Sequence, residues 1–337
     1  MGRKITAAQV AAEAGVSAAT VDRVLNARGG VTPDKETAVL AAARKLGLDR
    51  ALNQRAARTL RVAVLCQPPR NPFHAEVARQ FEAATRIWPQ FNLQFRIQHI
   101  DPVTPAQTAA RIAALADQSD AMVILSGHEP QIAAALAAFE ATGKPVIALA
   151  TDIGGGIGRY IGPDNHQAGR MAGDLMGRFL AGGDADVLVI AGLLSMIGHA
   201  ERVRGFQAVL AERYPRLRVC DVVESGESAE RAGDLVHLAL RANPQIRGIY
   251  NASAGAQPVV AARERLGRSR DVAFITHELT PDRSALLRQG AIDAVLDQTP
   301  EHEVKVAVQT LAATFGRAEA FPESFITPVH IHMIENA

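Results

Sequence analysis

A set of polar and aromatic side chains in this sequence stands where strand-like runs end: Asn71 and Phe73, Asp152, Arg202, Asn251, His277 with Glu278, and Gln298 beside Asp297. In open parallel sheets the carboxyl ends of the strands are where ligands bind. Carboxylates and amides placed there pair with hydroxyl groups, an arginine donates in a fork, and an aromatic ring packs on the apolar face of a ring. Any one of these residues could equally cap the helix that follows it; their coincidence points to a small ligand rich in hydroxyls. Arg202 is the one arginine in the set, which favours a neutral sugar or polyol over a phosphorylated one. No acid is paired with a nucleophile, and Cys66-Gln67-Pro68-Pro69-Arg70 is no phosphate loop, so the expected chemistry is recognition, with no turnover and no cofactor.

A second chemistry lies in the first sixty residues. Residues 1–61 hold 11 Lys and Arg against 5 Asp and Glu, whereas the remaining 276 residues hold 25 against 30, although the whole chain carries only +1. A small basic module on an acidic body suggests a polyanionic partner for that module alone. Weaker signals give less. Gly154, Gly155, Gly156, Gly158 and Gly162 miss the dinucleotide spacing and read as a flexible loop. His330 and His332 alternate on a terminal strand with no cysteine cluster near, so no metal is expected. Cys66 and Cys220, the only cysteines, sit inside strand-like runs and are expected to be free thiols.

These residues need elements to hold them. At the N-terminus, Thr6 and Ser17 are suited to cap two short helices, Val10 and Ala14 then Val21, Val24 and Leu25 recur at helical spacing, and Gly15 separates the two. A third helix follows Pro33-Asp34, with Val39, Leu40, Ala43 and Leu46 facing the same core. From Arg61 onward the chain alternates. Strands are expected at 61–66, 93–100, 121–125, 145–150, 186–191, 217–223, 247–251, 272–276 and 293–297, separated by Ala-rich amphipathic stretches, the pattern of parallel sheets covered on both faces. Nine strands exceed one small sheet, and Tyr160-Ile161-Gly162-Pro163-Asp164-Asn165 reads as a crossing into a second lobe. With 48% hydrophobic and 21% charged residues the chain can bury large cores, and no apolar run is long enough to span a bilayer. With no signal-peptide pattern at the start, a cytoplasmic location is expected.

The run Val16-Ser17-x-x-Thr20-Val21-x-Arg23-Val24-Leu25-Asn26, followed by Gly30-Val31-Thr32, resembles the signature of the lac repressor (LacI/GalR) family. The resemblance implies a helix-turn-helix domain in which Ala18, Ala19 and Arg23 read bases, while Thr6, Ser17, Thr20 and Asn26 contact phosphates or fix the helix. Arginine can grip a guanine and alanine can touch a thymine methyl. Asp22 stands where the family usually has serine, and beside phosphates it would need to orient Arg23. Ala57-Arg58-Thr59-Leu60 is similar to the end of the family's hinge helix, which implies a minor-groove contact by Arg58 and a wedge by Leu60. Leu52-Asn53 departs from the usual Pro-Asn there.

The likeness continues through Asn71-Pro72-Phe73, Gly162-Pro163-Asp164-Asn165-x-x-Ala168-Gly169-Arg170, Arg202-x-Arg204-Gly205-Phe206 and Asp297-Gln298, which resemble the ribose-binding-protein-like core of the same family. Asn71, Phe73, Asp152, Arg202, Asn251 and Gln298 then fall on sugar-contacting positions. Glu278 replaces the usual aspartate and Ile153 an arginine, which points away from ribose itself.

The expected architecture is an all-α helix-turn-helix domain over 1–48, a hinge or linker over 49–60, and an α/β two-lobed domain with parallel sheets over 61–337. That domain is expected to be of the type I periplasmic-binding-protein kind, with lobe one over 61–162 and 293–321 and lobe two over 163–292 and 322–337. The expected activity is that of a repressor, a homodimer on pseudo-palindromic operator DNA, gated by a sugar or polyol effector. A sugar receptor without a DNA role and a Rossmann-like sugar enzyme remain as alternatives; the basic N-terminal module opposes the first and the missing cofactor loop the second.

Overall fold

The computed structural model describes residues 5–26, 28–46, 48, 58–180 and 182–337. Helices α1 (Ala7–Ala14), α2 (Ala18–Leu25) and α3 (Pro33–Lys45) form the N-terminal unit. Thr6 opens α1 with a reciprocal cap: its hydroxyl accepts from the Gln9 N–H and its own N–H donates to Gln9 Oε1 at 2.9 Å. Gly15 closes α1 at φ +65°, a conformation in which a side chain would be strained. Ser17 caps α2 by accepting from the Thr20 N–H at 3.2 Å. Val10, Val21, Val24, Leu25, Val39, Leu40 and Ala43 close a single core among the three helices.

The body is built on two six-stranded sheets. The first contains β1 (Leu60–Cys66), β2 (Leu93–His99), β3 (Ala121–Ile124), β4 (Val146–Leu149), β5 (Arg159–Pro163) and β11 (Ile326–Thr327), all parallel, in the order β11-β5-β4-β3-β1-β2. The second contains β6 (Ala185–Ala191), β7 (Leu217–Glu224), β8 (Ile246–Asn251), β9 (Ala273–His277), β10 (Ala294–Asp297) and β12 (His330–His332), in the order β12-β10-β9-β8-β6-β7, with only β12 antiparallel. Central strands such as β3 and β4 are buried along their whole length because helices cover both faces, whereas the edge strands β2 and β7 break that run with exposed positions.

Helices α4 (Pro72–Ile87), α5 (Pro105–Leu115), α6 (Pro130–Glu140) and α12 (Pro300–Thr314) cover the first sheet. Helices α7 (Asn165–Phe179), α8 (Ile197–Arg213), α9 (Ala229–Ala242), α10 (Ala256–Arg265) and α11 (Pro281–Arg288) cover the second. Proline stands in the first turn of α4, α5, α6, α11 and α12, where its missing N–H breaks no helical bond.

All nine expected strands are present, but the lobes divide differently from expectation. Residues 294–297, assigned to lobe one, form β10 of the second sheet, because Ala294, Val295 and Leu296 fill the buried slot between β9 and β12. Residues 326–327, assigned to lobe two, pair with β5 in the first sheet as β11. The expected crossing at 160–165 is itself mostly strand β5, and the chain leaves lobe one only at Asp164. It returns at Gln298-Thr299, before α12, and crosses a third time at Pro328-Val329. Leu60 is a second correction. It opens β1 at 2% exposure inside the lobe-one core, so its side chain cannot serve as a wedge in DNA.

Helix α12 links distant parts of the chain. Its first turn follows Gln298, and its far end reaches the N-terminal unit: the Thr37 hydroxyl donates to the Phe315 carbonyl at 3.1 Å, and Arg317 lies 3.6 Å from Glu36. The same guanidinium donates to the carbonyls of Phe91 and Arg58, each at 2.7 Å.

Helices α7 and α8 approach so closely that glycine is required at the contact. A Cβ on Gly169 would strike the Arg202 carbonyl, and one on Gly205 the His166 carbonyl. Gly169→Ala is therefore expected to overpack the contact by about 2–3 kcal/mol, lowering the melting temperature by several degrees. A melting curve unchanged from the parent protein would contradict this packing.

Candidate functional site

Two surfaces carry the residues singled out in the sequence. On the N-terminal unit, Ser17, Ala18, Ala19, Arg23 and Asn26 are exposed along α2 and its ends, with Thr20 partly so. The Ser17 and Thr20 hydroxyls share a hydrogen bond of 2.9 Å. Asp22 does not orient Arg23, as its position had suggested. It accepts from Asn26 Nδ2 at 2.6 Å and pairs with Arg28 at 2.8 Å, which neutralises the acid locally and leaves Arg23 projecting on its own. Arg58 is held to the body by Asp120 at 2.5 Å, through one Asp120 oxygen, while the other accepts from the Arg61 N–H. The hinge residues 49–57 lie outside the described residues.

The second surface is the cleft between the two sheets. A cavity of about 40 Å³ lies there, lined among others by Asn71, Phe73, Thr151, His199, Arg202, Glu227, Glu278 and Gln298. Five of the expected residues thus meet at one place. Arg202, on α8 and 4% exposed, is the hub: Nε donates to Asn165 Oδ1 at 2.7 Å, one terminal nitrogen to the Ala252 carbonyl at 3.1 Å, and the other to Gln298 Oε1 at 3.0 Å. Glu278 lies 3.5 Å from Arg202 and 3.2 Å from Arg283, and it also accepts from Gln298 Nε2. Burial pushes its carboxyl above the usual range, opposed by the two guanidiniums.

Three expected residues lie elsewhere. Asp152 caps the glycine loop, accepting from the Gly154 N–H at 3.0 Å, and lines a separate opening near Tyr160 and Asn165. Asn251 is fully buried and holds the turn after β8, donating to the Ala254 carbonyl and accepting from the Ser253 N–H. His277 is turned into the core, its Nε2 2.7 Å from the Tyr250 hydroxyl, and burial holds it well below its ordinary pKa.

Other cleft residues went unnoticed in the sequence. Glu227, after β7 in lobe two, reaches across to lobe one, where Gln67 Nε2 and Asn71 Nδ2 donate to its Oε2 at 3.2 and 3.1 Å. Thr151 accepts from the Gly198 N–H at 3.0 Å, a second link between lobes, and the His128 N–H donates to the Ser195 carbonyl at 2.7 Å, a third. His74 and His199 are held neutral, burial lowering both to about 3. The strand-end rule that found Asn71 would have found Glu227 had it been applied past 217–223.

The backbone marks the same region. Among the described residues five non-glycines have positive φ; Ala150, Glu227 and Glu278 line the cavity, and Thr299 follows Gln298. Such conformations cost on the order of 1–3 kcal/mol each and gather where geometry serves function.

Residues 6–49 match the model of bacterial regulatory proteins of the lacI family, and residues 62–317 match that of the periplasmic binding protein domain. No curated protein matches the sequence. Among solved structures the chain is similar to an ABC transporter solute binding protein from Burkholderia graminis in complex with D-arabinose, at 23% identity and a TM-score of 0.74, covering 82% of this chain and 96% of that one. It is also similar to a solute binding protein from Agrobacterium vitis with bound D-fucose, at 17% identity and a TM-score of 0.75, over 82% and 96% of the two chains. A periplasmic solute binding protein from Actinobacillus succinogenes with bound D-allose gives 18% and 0.73, over 82% and 98%. At these identities the likeness is one of fold.

The buried cluster makes a direct expectation. Arg202→Met leaves Glu278 with Arg283 alone and should destabilise the body by about 3–5 kcal/mol. Adding Glu278→Gln also takes the carboxylate from the buried Arg283, so the double variant should be less stable than Arg202→Met alone, yet lose less than the sum of the two single losses in urea unfolding, because both singles break the same pair. Strictly additive losses in the double variant would mean that the two side chains are not coupled.

Proposed function

Because this chain belongs to the lacI family of bacterial regulatory proteins, with a body of the periplasmic binding protein domain family, we propose that it is a cytoplasmic repressor whose grip on DNA is set by a polyhydroxyl effector. It is a DNA-binding regulator by family. The finer reading is that two copies pair on a pseudo-palindromic operator, since two-fold symmetry in a protein is mirrored in paired half-sites. Arg23, Ala18 and Ala19 read bases, and Thr6, Ser17, Thr20 and Asn26 face phosphates. The domains follow: helix-turn-helix over 1–48, linker over 49–59, and a two-lobed body from Leu60.

The observation that carries the gating is α12. One end leaves the cleft beside Gln298, and the other holds Thr37 and Glu36 of the N-terminal unit. A ligand that favours one separation of the lobes moves both ends of this helix relative to the second lobe. The N-terminal units then follow. Only a difference in affinity between the two states is required. The cavity, at about 40 Å³, has room for roughly three waters, so a monosaccharide enters only as the lobes part. Pentoses, hexoses and polyols are the effectors of choice, given a cleft of amides, carboxylates and one arginine fork. Nothing in it pairs a base with a nucleophile, which is why binding is preferred to catalysis.

The test is operator binding by fluorescence polarisation across a salt series and a sugar panel. With six to ten phosphate contacts, affinity should fall roughly 10³–10⁵-fold between 50 and 200 mM salt, and a flat profile would sink the phosphate-contact reading. Arg23→Ala should weaken operator binding by about 1–3 kcal/mol while leaving binding to random DNA nearly unchanged. An effector should raise the melting temperature of the parent protein with its occupancy. That rise should vanish in Gln298→Leu; a ligand that stabilises both proteins equally binds elsewhere.

A further inference from the structure

Of the two carboxylates among the described residues lining the cavity, Glu227 is the one without an ion pair to Lys or Arg. Its Oε2 accepts from Gln67 and Asn71, but its Oε1 is buried without a hydrogen-bond partner, on a side chain with 5% exposure. His199 Nδ1, 3.6 Å from Oε1, cannot donate to it: that nitrogen already accepts from the Leu193 N–H at 3.3 Å, so the proton of the neutral ring is on Nε2. Glu227 Oε1 is therefore left as an open, buried acceptor. The position is built rather than incidental. Glu227 holds φ +62°, and β6 is followed by Gly192 where any Cβ would collide with Glu227 Oε1.

Arg202 and Arg283 favour the charged form of Glu227 only from a distance. Arg202 and Arg283 are committed to Glu278, which stands between them. Glu227 also lines an adjoining trough of about 420 Å³, whose charged residues are Arg70, Asp101, Glu230, Asp282 and Arg283. Among the described residues, Asp101, Glu230 and Asp282 have no ion-pair partner. The way into the cleft is thus net acidic, which draws cations and repels phosphates. Burial raises the Glu227 carboxyl above its ordinary range, opposed by the hydrogen bonds from Gln67 and Asn71 and by the Arg202 and Arg283 charges.

We propose that the effector carries a protonated amine, an amino-bearing sugar or cyclitol, and that Glu227 Oε1 receives the ammonium. A hydroxyl could donate one hydrogen bond to Glu227 and leave its charge unmatched. An ammonium supplies three donors and the missing charge together. This rests on the polyhydroxyl reading of the cleft and narrows it.

The experiment is calorimetric titration of the full chain with D-glucosamine, D-galactosamine and D-mannosamine, each beside its parent hexose and its N-acetyl form. At least one amine should bind ten times more tightly or better than both of its neutral counterparts, and Glu227→Gln should reduce that preference to near unity. Glu227→Gln should itself melt no lower than the parent protein, since it removes an unmatched buried charge. Neutral sugars binding as tightly as the amines would overturn the ammonium site and leave the polyhydroxyl reading standing, as would a preference that survives Glu227→Gln. A Glu227→Gln protein that melts several degrees lower would also overturn it, by showing that the carboxylate is matched in the free protein. If no polyhydroxyl compound binds, amine-bearing or not, both readings fall.

Discussion

The buried guanidinium of Arg202 is the interaction on which the two-lobed body depends. A charge at 4% exposure survives only if every donor finds a partner. The partners are drawn from different parts of the chain: Asn165 starts α7 just after the first crossing between lobes, Gln298 stands at the second crossing, and Ala252 ends the β8 turn. Satisfying one side chain therefore fixes two of the three crossings. Asn165 passes the constraint onward, donating to the Ala150 carbonyl at the end of β4. The close approach of α7 and α8, possible only with Gly169 and Gly205 at the contact, brings Arg202 within reach of Asn165.

A cleft organised this way is stiff within each lobe and adjustable between them. The links across it are few: Glu227 with Gln67 and Asn71, Thr151 with Gly198, His128 with Ser195, and Asn165 with Ala150 and Tyr160. All are hydrogen bonds that water can replace, each worth about 1 kcal/mol net. The cores on the sheets, by contrast, are layers of fully buried Val, Leu, Ile and Phe, and each such side chain contributes about 1.5–3 kcal/mol. Motion is thus cheap between lobes and costly within them, the condition for a rigid-body response to a ligand.

Most of the fold was legible in the sequence because its signals are local. β-Branched runs alternating with Ala-rich helices declare a parallel sheet, and Thr6, Gly15 and Ser17 mark helix ends by their own chemistry. The lobe boundaries were not legible, since β10 and β11 are short and nothing local says which sheet a short apolar run will join. Leu60 shows the same limit: a leucine beside a basic stretch suits a groove wedge or a strand start, and only the depth of the core decides. At the site, residues with fixed pairing needs such as Arg202 and Glu278 were found, whereas Asp152, Asn251 and His277 satisfy theirs with neighbouring backbone or a core tyrosine. Strand-end position cannot separate a residue that turns inward from one that faces a ligand.

The strained backbone argues that this cleft is shaped in advance. Ala150, Glu227, Glu278 and Thr299 each hold a conformation that glycine would adopt more easily, and none is glycine. For Glu227 and Glu278 the reason is visible, since only a side chain can place a carboxylate there; strain of this kind persists where the surroundings over-determine it. Glu278 recovers the cost through Arg202 and Arg283. Glu227 has two amides and no cation. Of two strained, buried carboxylates in one cleft, one is matched within the protein and the other is held ready with an oxygen unused, which is the asymmetry expected when the remaining partner arrives with the ligand.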